Sequence, residues 1–418
     1  MHAPISPELL RRRGPGLVEF VALVALMMGI TAYAVDNVLP AFPIIAQAYG
    51  VANPNDLQLL VYVYMAGFGL LHLVYGPAAD IWGRRPVFLV GLAVFTAGCV
   101  IAIVADSLQT LLVARFIQGA GAAAGRVLAM AIVRDRFSGR DMARVLSLTT
   151  LVFITVPILA PAIGGLILAF ADWHAIFVSM LAAGLMLGIW FAWRMPETLH
   201  PEFRMSPTVT PVLAGIRATV TCRAALGYGT AFGCLFGCIM AYVGSAQQIF
   251  AGEVYQLGIW FPAVFGSVAA MMGVAALVNS RLVRRFGMHR MSHFGILTFL
   301  TLAAAQVVLA FATDGRPPLI PFILLLAGGQ FFSSLAMPNF NALAMEPLGA
   351  VAGTASSFIG FYTTLLGAGF GALVGQHFDG TVKPLALGYL ALALTAVVVV
   401  VLTERGRLFG RAAPSTAR

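Results

Sequence analysis

Charge is what this sequence has least of. Asp, Glu, Lys and Arg make up 10% of its 418 residues, against about 25% in ordinary soluble domains. With 60% hydrophobic residues beside it, that scarcity excludes a soluble fold, because a chain of this size has too little interior to hide so much apolar side chain. Cysteine is sparse as well. Cys99, Cys234 and Cys238 fall inside apolar runs and Cys222 at the end of one, so a disulfide framework is not expected and they read as apolar fillers. Metal-ligand spacings, a nucleotide-binding glycine loop and a nucleophile–base arrangement are also missing. Enzymatic catalysis, a resident metal and a cofactor are therefore not expected.

What the sequence has is long apolar runs. Twelve of them span 16–41, 58–79, 86–105, 109–131, 145–169, 174–193, 223–249, 256–280, 291–312, 318–345, 353–375 and 384–403. About 20 residues is the helix length that crosses a ~30 Å hydrocarbon core. Only helices or closed barrels satisfy their backbone groups in lipid, and a barrel would alternate in ~10-residue segments. The first run is too long for the apolar core of a signal peptide and leads straight into a second.

The basic residues orient the chain. With both termini cytoplasmic, 21 of the 25 fall on the inner side, from Arg11–Arg13 to Arg405, Arg407, Arg411 and Arg418, and only Arg316 and Lys383 fall outside. This satisfies the positive-inside rule. The net charge of +9 is then a topology signal spread over six inner segments, and no nucleic-acid surface is expected.

The longest inner connection, 194–222, is rich in Pro and Thr and divides the spans six and six. The predicted domains are residues 1–193, the linker 194–222, and residues 223–418. "GPAADIWGRRP" (Gly76–Pro86) has a faded echo in "NSRLVRRFGMHR" (Asn279–Arg290), with Gly83 and Gly287 204 residues apart. Two six-helix halves with a repeated loop fit a parallel-repeat transporter with its substrate path between the halves.

The short loop carries Gly76, Asp80, Gly83, Arg84 and Arg85. The fourth run carries "RFIQGAG" with Arg115 and Gln118, and the fifth "APAIGG" with Pro161, Gly164 and Gly165. With "AVDNVLPAFP" in the first run and "AMPNFNALAM" in the tenth, the chain resembles the major facilitator superfamily, and within it the drug:proton antiporters of the Bcr/CflA type. The resemblance implies an all-α membrane protein with twelve transmembrane helices in two pseudo-symmetric six-helix bundles. It implies a latching loop at 76–85 and an exporter motif at Pro161, Gly164 and Gly165. The chain departs from the family pattern at Ile81, Val156 and Ala160, and Arg284 stands opposite Asp80 in the second half.

Ionisable residues within spans mark function. Asp36 lies deep in the first run, four residues before Pro40, which should loosen the backbone beside it. Burial favours the protonated form of such a carboxylate and makes its charge sensitive to substrate. Arg115 keeps its charge and can hold a carboxylate ionised. The resemblance assigns proton coupling to Asp36 and Arg115. Arg126, three turns further on, either joins them or snorkels inward. Glu19 is expected to meet headgroups or Arg11–Arg13. His72 is expected to make a satisfied helix–helix contact.

In the second half, Tyr242, Gln247, Gln248, Gln330, Asn339 and Asn341, mixed with phenylalanines, are expected to line an apolar cavity suited to bulky lipophilic ligands. The functional expectation is proton-driven efflux of lipophilic drugs by alternating access, as a monomer in a bacterial inner membrane. Its partners are the small-molecule substrate, protons and the bilayer. The alternative is a metabolite exporter or uptake carrier on the same fold.

Overall fold

The computed structural model describes residues 14–204 and 209–409. Arg11, Arg12, Arg13, Arg411 and Arg418 of the topology reading lie outside them. Among the described residues the chain is helical without strands. Twelve helices have 20 residues or more: α1 Leu17–Asp36, α2 Leu59–Trp82, α3 Arg84–Ile103, α4 Leu108–Arg136, α5 Gly139–Phe170, α6 His174–Arg194, α7 Arg223–Ala246, α8 Phe261–Phe286, α9 Met288–Ala312, α10 Leu319–Met345, α11 Ala352–Gly375 and α12 Lys383–Thr403.

Ten helical stretches are long and apolar enough to cross a membrane. One of these, Leu319–Gly375, holds both α10 and α11, and α5 contributes the shorter apolar segment Thr155–Phe170. Each apolar run of the sequence thus has its helix. Some helices outlast their runs: α4 continues to Arg136 and α8 to Phe286, because a helix satisfies its own backbone in water as well as in lipid. The linker region 194–222 contains a 13-residue helix, Val209–Thr221.

The chain divides into two compact units, Met1–Leu213 and Ala214–Arg418, each with six of the long helices. In the first, α4 is the central element, and "GAGAAAG" explains why. A Cβ on Gly119 would lie 1.9 Å from the Tyr64 carbonyl oxygen of α2. One on Gly121 would lie 2.2 Å from the Phe95 nitrogen of α3, and one on Gly125 2.1 Å from the Met27 carbonyl oxygen of α1. Three glycines on three faces let three helices reach α4 at backbone distance, and such approach drives helix association where lipid removes the hydrophobic incentive. Gly67 repeats the device from the α2 side, its Cβ position 2.2 Å from the Phe116 carbonyl oxygen.

Overpacking typically costs about 1–3 kcal/mol. Gly119→Val should reach the upper end of that range, because its obstacle is backbone. It should lower the melting temperature of the detergent-purified protein, while Gly165→Ala, with nothing within 4 Å of its Cβ position, should not. Equal melting of the two variants would remove the packing role.

In the second unit α7 presents small residues in the same way. Cβ positions on Gly233 and Gly237 lie 2.7 Å from Leu366 Cδ2 and Phe370 Cβ of α11. All four cysteines are free, with Cys99, Cys234 and Cys238 buried.

Candidate functional site

Asp36 is the last residue of α1, 5% exposed. The helix stops there for a local reason: Pro40, at the start of a 3₁₀ turn Leu39–Ala41, has no N–H for the Asp36 carbonyl. The predicted run 16–41 is therefore broken, and the span resumes in a short helix, Phe42–Ala48. Gly164 of the exporter motif closes on this break, its Cβ position 2.2 Å from the Asn37 carbonyl oxygen. Pro161 and Pro157 lie inside α5, and Gly165 faces open space. The Asp36 carboxylate has no ion pair among the described residues.

Arg115, wholly buried on α4, is held without a carboxylate. Its Nε donates to the Leu60 carbonyl at 3.0 Å, and its Nη1 donates to Gln118 Oε1 at 2.9 Å. Its guanidinium lies 4.5 Å from the centre of the Tyr64 ring, and its Nη2 has no hydrogen-bond partner among the described residues. Gln118 passes the chain on, with Nε2 3.1 Å from Cys99 Sγ.

A direct Asp36–Arg115 ion pair is absent. Tyr64 instead stands in electrostatic reach of both residues and faces Thr31, although its hydroxyl does not meet hydrogen-bond geometry. A tyrosine within an apolar run carries no sequence signal for this place. Gln118, three residues from Arg115 on one helix face, was legible through its motif.

Of the remaining candidates, Arg126 is exposed on α4 and lies in electrostatic reach of His72. His72 is buried, but its Nδ1 bonds the Phe68 carbonyl of its own helix at 2.7 Å, so the predicted interhelical contact is a local one. Glu19 has partners of its own among the described residues, Arg11–Arg13 lying outside them. It takes a bidentate pair from Arg194 of α6 at 2.6 and 2.7 Å, and Trp190 Nε1 at 3.0 Å.

Residues 76–85 form a tight corner. Gly83, at φ 101°, joins α2 directly to α3, a backbone conformation that only glycine adopts readily. Asp80 pairs with Arg84 four residues on, at 2.5 Å, and Arg84 Nε reaches Asp135 Oδ2 of α4 at 3.1 Å. Asp80 therefore finds its arginine within the corner itself. Arg85 turns back to donate to the Ala192 carbonyl at 2.6 Å.

The residue sequence reasoning missed is Glu197, in the linker. Its carboxylate accepts from the backbone N–H groups of Arg84 (2.9 Å) and Arg85 (3.2 Å) and from those of Thr198 and Leu199 (both 3.0 Å). It thus supplies α3 with an N-terminal cap that its own sequence lacks. A Cβ on Gly83 would meet Glu197 Oε2 at 2.4 Å. Glu197 lies 113 residues from its partner Arg84, beyond any local pattern.

In the second unit the six polar candidates separate. Gln330 is fully buried, and its Nε2 donates to Tyr389 OH of α12 at 2.7 Å. Asn339 Nδ2 donates to Asn279 Oδ1 of α8 at 2.8 Å and to its own helix at Leu335 O. Both are thereby engaged in helix packing, and Asn341 points out, exposed. Tyr242, Gln247 and Gln248 stay together at the end of α7. The Tyr242 ring stacks on Phe265 at 5.4 Å, and the two buried glutamines open a π-helical turn, Gln247–Ala251. Such turns widen a helix and frequently occur at functional sites.

The Major Facilitator Superfamily profile matches residues 22–372. The chain is 29% identical to the bicyclomycin resistance protein homolog of Haemophilus influenzae, over 88% of this chain and 91% of that one. It is 30% identical to the multidrug resistance protein MdtL of Klebsiella pneumoniae, over 78% and 80%. A solved peptide transporter POT in complex with sulfate shares the fold with a TM-score of 0.75 at 12% identity, over 97% of this chain and all of that one. The motif corner at Gly83, the twelve helices and this match together establish that the chain is a multi-pass membrane protein of the Major Facilitator Superfamily.

Proposed function

We propose that the chain exports lipophilic small molecules across a bacterial inner membrane in exchange for protons, by alternating access and as a monomer. The observation that carries this reading is Asp36, a buried carboxylate without an ion pair among the described residues, at the break of α1. An unpaired buried charge is expensive, and taking a proton removes that expense. The drug-resistance names of two relatives support the substrate class. Expressed in an efflux-deficient bacterial host, the chain should raise tolerance to several unrelated lipophilic antibiotics, and an uncoupler should cancel the gain. An unchanged growth-inhibition panel alongside gradient-driven metabolite movement would replace drug efflux with metabolite transport.

On this reading the corner at 76–85 governs conformational exchange. The Arg84 side chain is tied to α4 through Asp135, and the backbone N–H groups of Arg84 and Arg85 are tied to the linker through Glu197, so releasing them frees helix ends rather than a ligand. Asp80→Asn should slow exchange between states and leave ligand affinity on purified protein within a few fold. A large loss of affinity with an unaltered distribution of states would refute the assignment.

A further inference from the structure

Three side chains with metal-ligating atoms meet at one end of the second unit, apart from the groups discussed above. His289 and His293 lie four residues apart in the first turns of α9, on one face. Glu404 caps the end of α12. His289 Nδ1 is 2.9 Å from Glu404 Oε1 and His293 Nε2 is 3.6 Å from the same oxygen, and the three ligating atoms lie within 4.8 Å of one another. His293 is 1% exposed and its Nε2, aimed at this point, has no hydrogen-bond partner among the described residues. On the other side of the ring, the Phe409 backbone N–H donates to His293 Nδ1 at 3.1 Å, and the Phe409 ring packs edge-on against the imidazole at 5.4 Å.

We propose that His289, His293 and Glu404 bind a divalent first-row metal ion of the zinc class, and that filling the site detaches the segment around Phe409. The donor set, two imidazoles and one carboxylate, suits zinc and its neighbours and leaves a position open for water. Bonds of about 2.0–2.1 Å in a tetrahedral site put ligating atoms roughly 3.3 Å apart. The two separations from Glu404 Oε1, 2.9 and 3.6 Å, straddle that edge, and the remaining histidine–histidine separation, within 4.8 Å, is the one that would have to close on binding. Tyr228 OH of α7 donates to Glu404 Oε1, the outer hydrogen bond that orients a ligating carboxylate. Entry is open through His289 and Glu404, whose side chains are 25% and 18% exposed. The opposed dipoles of α9's first turn and α12's last turn offset each other, which leaves the carboxylate's charge to favour a cation.

The link to Phe409 follows from proton positions. While Nδ1 accepts from Phe409 N–H, the neutral ring carries its proton on Nε2. A metal on Nε2 displaces that proton, and the remaining neutral tautomer holds N–H at Nδ1. Two N–H groups then face each other, and Phe409 must leave.

The test uses the full chain, purified in detergent through a tag free of histidine and stripped with a chelator. Titration with zinc chloride by calorimetry, and with cobalt(II) by visible absorption, should show saturable binding of one ion with tetrahedral cobalt bands. Tyr228→Phe should weaken it roughly 10–100-fold, the range for loss of an outer-shell partner. Glu404→Gln and the double variant His289→Ala/His293→Ala should weaken it further. Zinc should speed tryptic cleavage after Arg407 in the wild type and leave the double variant unaffected. Wild-type protein that binds neither ion more tightly than the double variant overturns the site, whatever the variants' folding. Tight binding with unchanged cleavage after Arg407 overturns the coupling to Phe409.

Discussion

Asp36→Asn should abolish gradient-driven efflux while the protein is still made and folded. The two side chains have nearly the same shape, and a neutral amide is no harder to bury at the α1 break than a carboxylate. Asp36 is 5% exposed and its carboxylate has no ion pair among the described residues, so the substitution leaves no counter-charge stranded. What disappears is the ability to take and release a proton. One proton per cycle draws about 2.3 kcal/mol per 100 mV, which is roughly a 50-fold concentration ratio of substrate at that potential. The variant should let that ratio fall towards unity in inverted vesicles with an imposed gradient, with substrate binding to purified protein retained. Wild-type accumulation by Asp36→Asn, under a measured gradient, would take the proton away from this residue.

Arg115→Lys should fail to restore transport although it keeps the charge. The guanidinium meets the Leu60 carbonyl with Nε and Gln118 with Nη1, and its central carbon sits over the Tyr64 ring. An ammonium is a point donor on a flexible stem and cannot make those three contacts at once. Loss of one hydrogen bond to a charged group costs about 1.5–3 kcal/mol, so the transport rate should fall about 10- to 100-fold. Since Tyr64 stands in electrostatic reach of both Asp36 and Arg115, the two sites should be energetically coupled without touching. A double-mutant cycle of Asp36→Asn and Arg115→Gln, read as proton release on substrate binding, should deviate from additivity by about 0.5–3 kcal/mol. Additive effects would make the sites independent and would turn attention to Arg126 beside His72.

Much of this protein was open to reading from its sequence alone. Lipid solvation dictates long apolar runs, so the helices announce themselves in composition. The corner at Gly83 announces itself as well, because a positive φ of 101° between two helices asks for glycine. The small residues of "GAGAAAG" mark a surface for close helix packing for a like steric reason, but which helix each glycine meets is not written in the sequence. The kink after Asp36 was legible in Pro40.

What tertiary structure alone decided is the pairing of polar groups. A buried donor or acceptor must find a partner, but sequence gives no distance between residues far apart along the chain. Glu197 caps α3 from 113 residues away, Arg194 claims Glu19 from 175, and Glu404 reaches His289 from 115. Gln330 and Asn339, polar residues on an apolar helix, were expected to line a cavity. They turned out to bond α10 to α12 and α8, because in an apolar interior any suitably placed partner satisfies an amide as well as a ligand would. Hydropathy and sterics act locally and can be read along the chain; hydrogen-bond partners are settled only once the helices stand side by side.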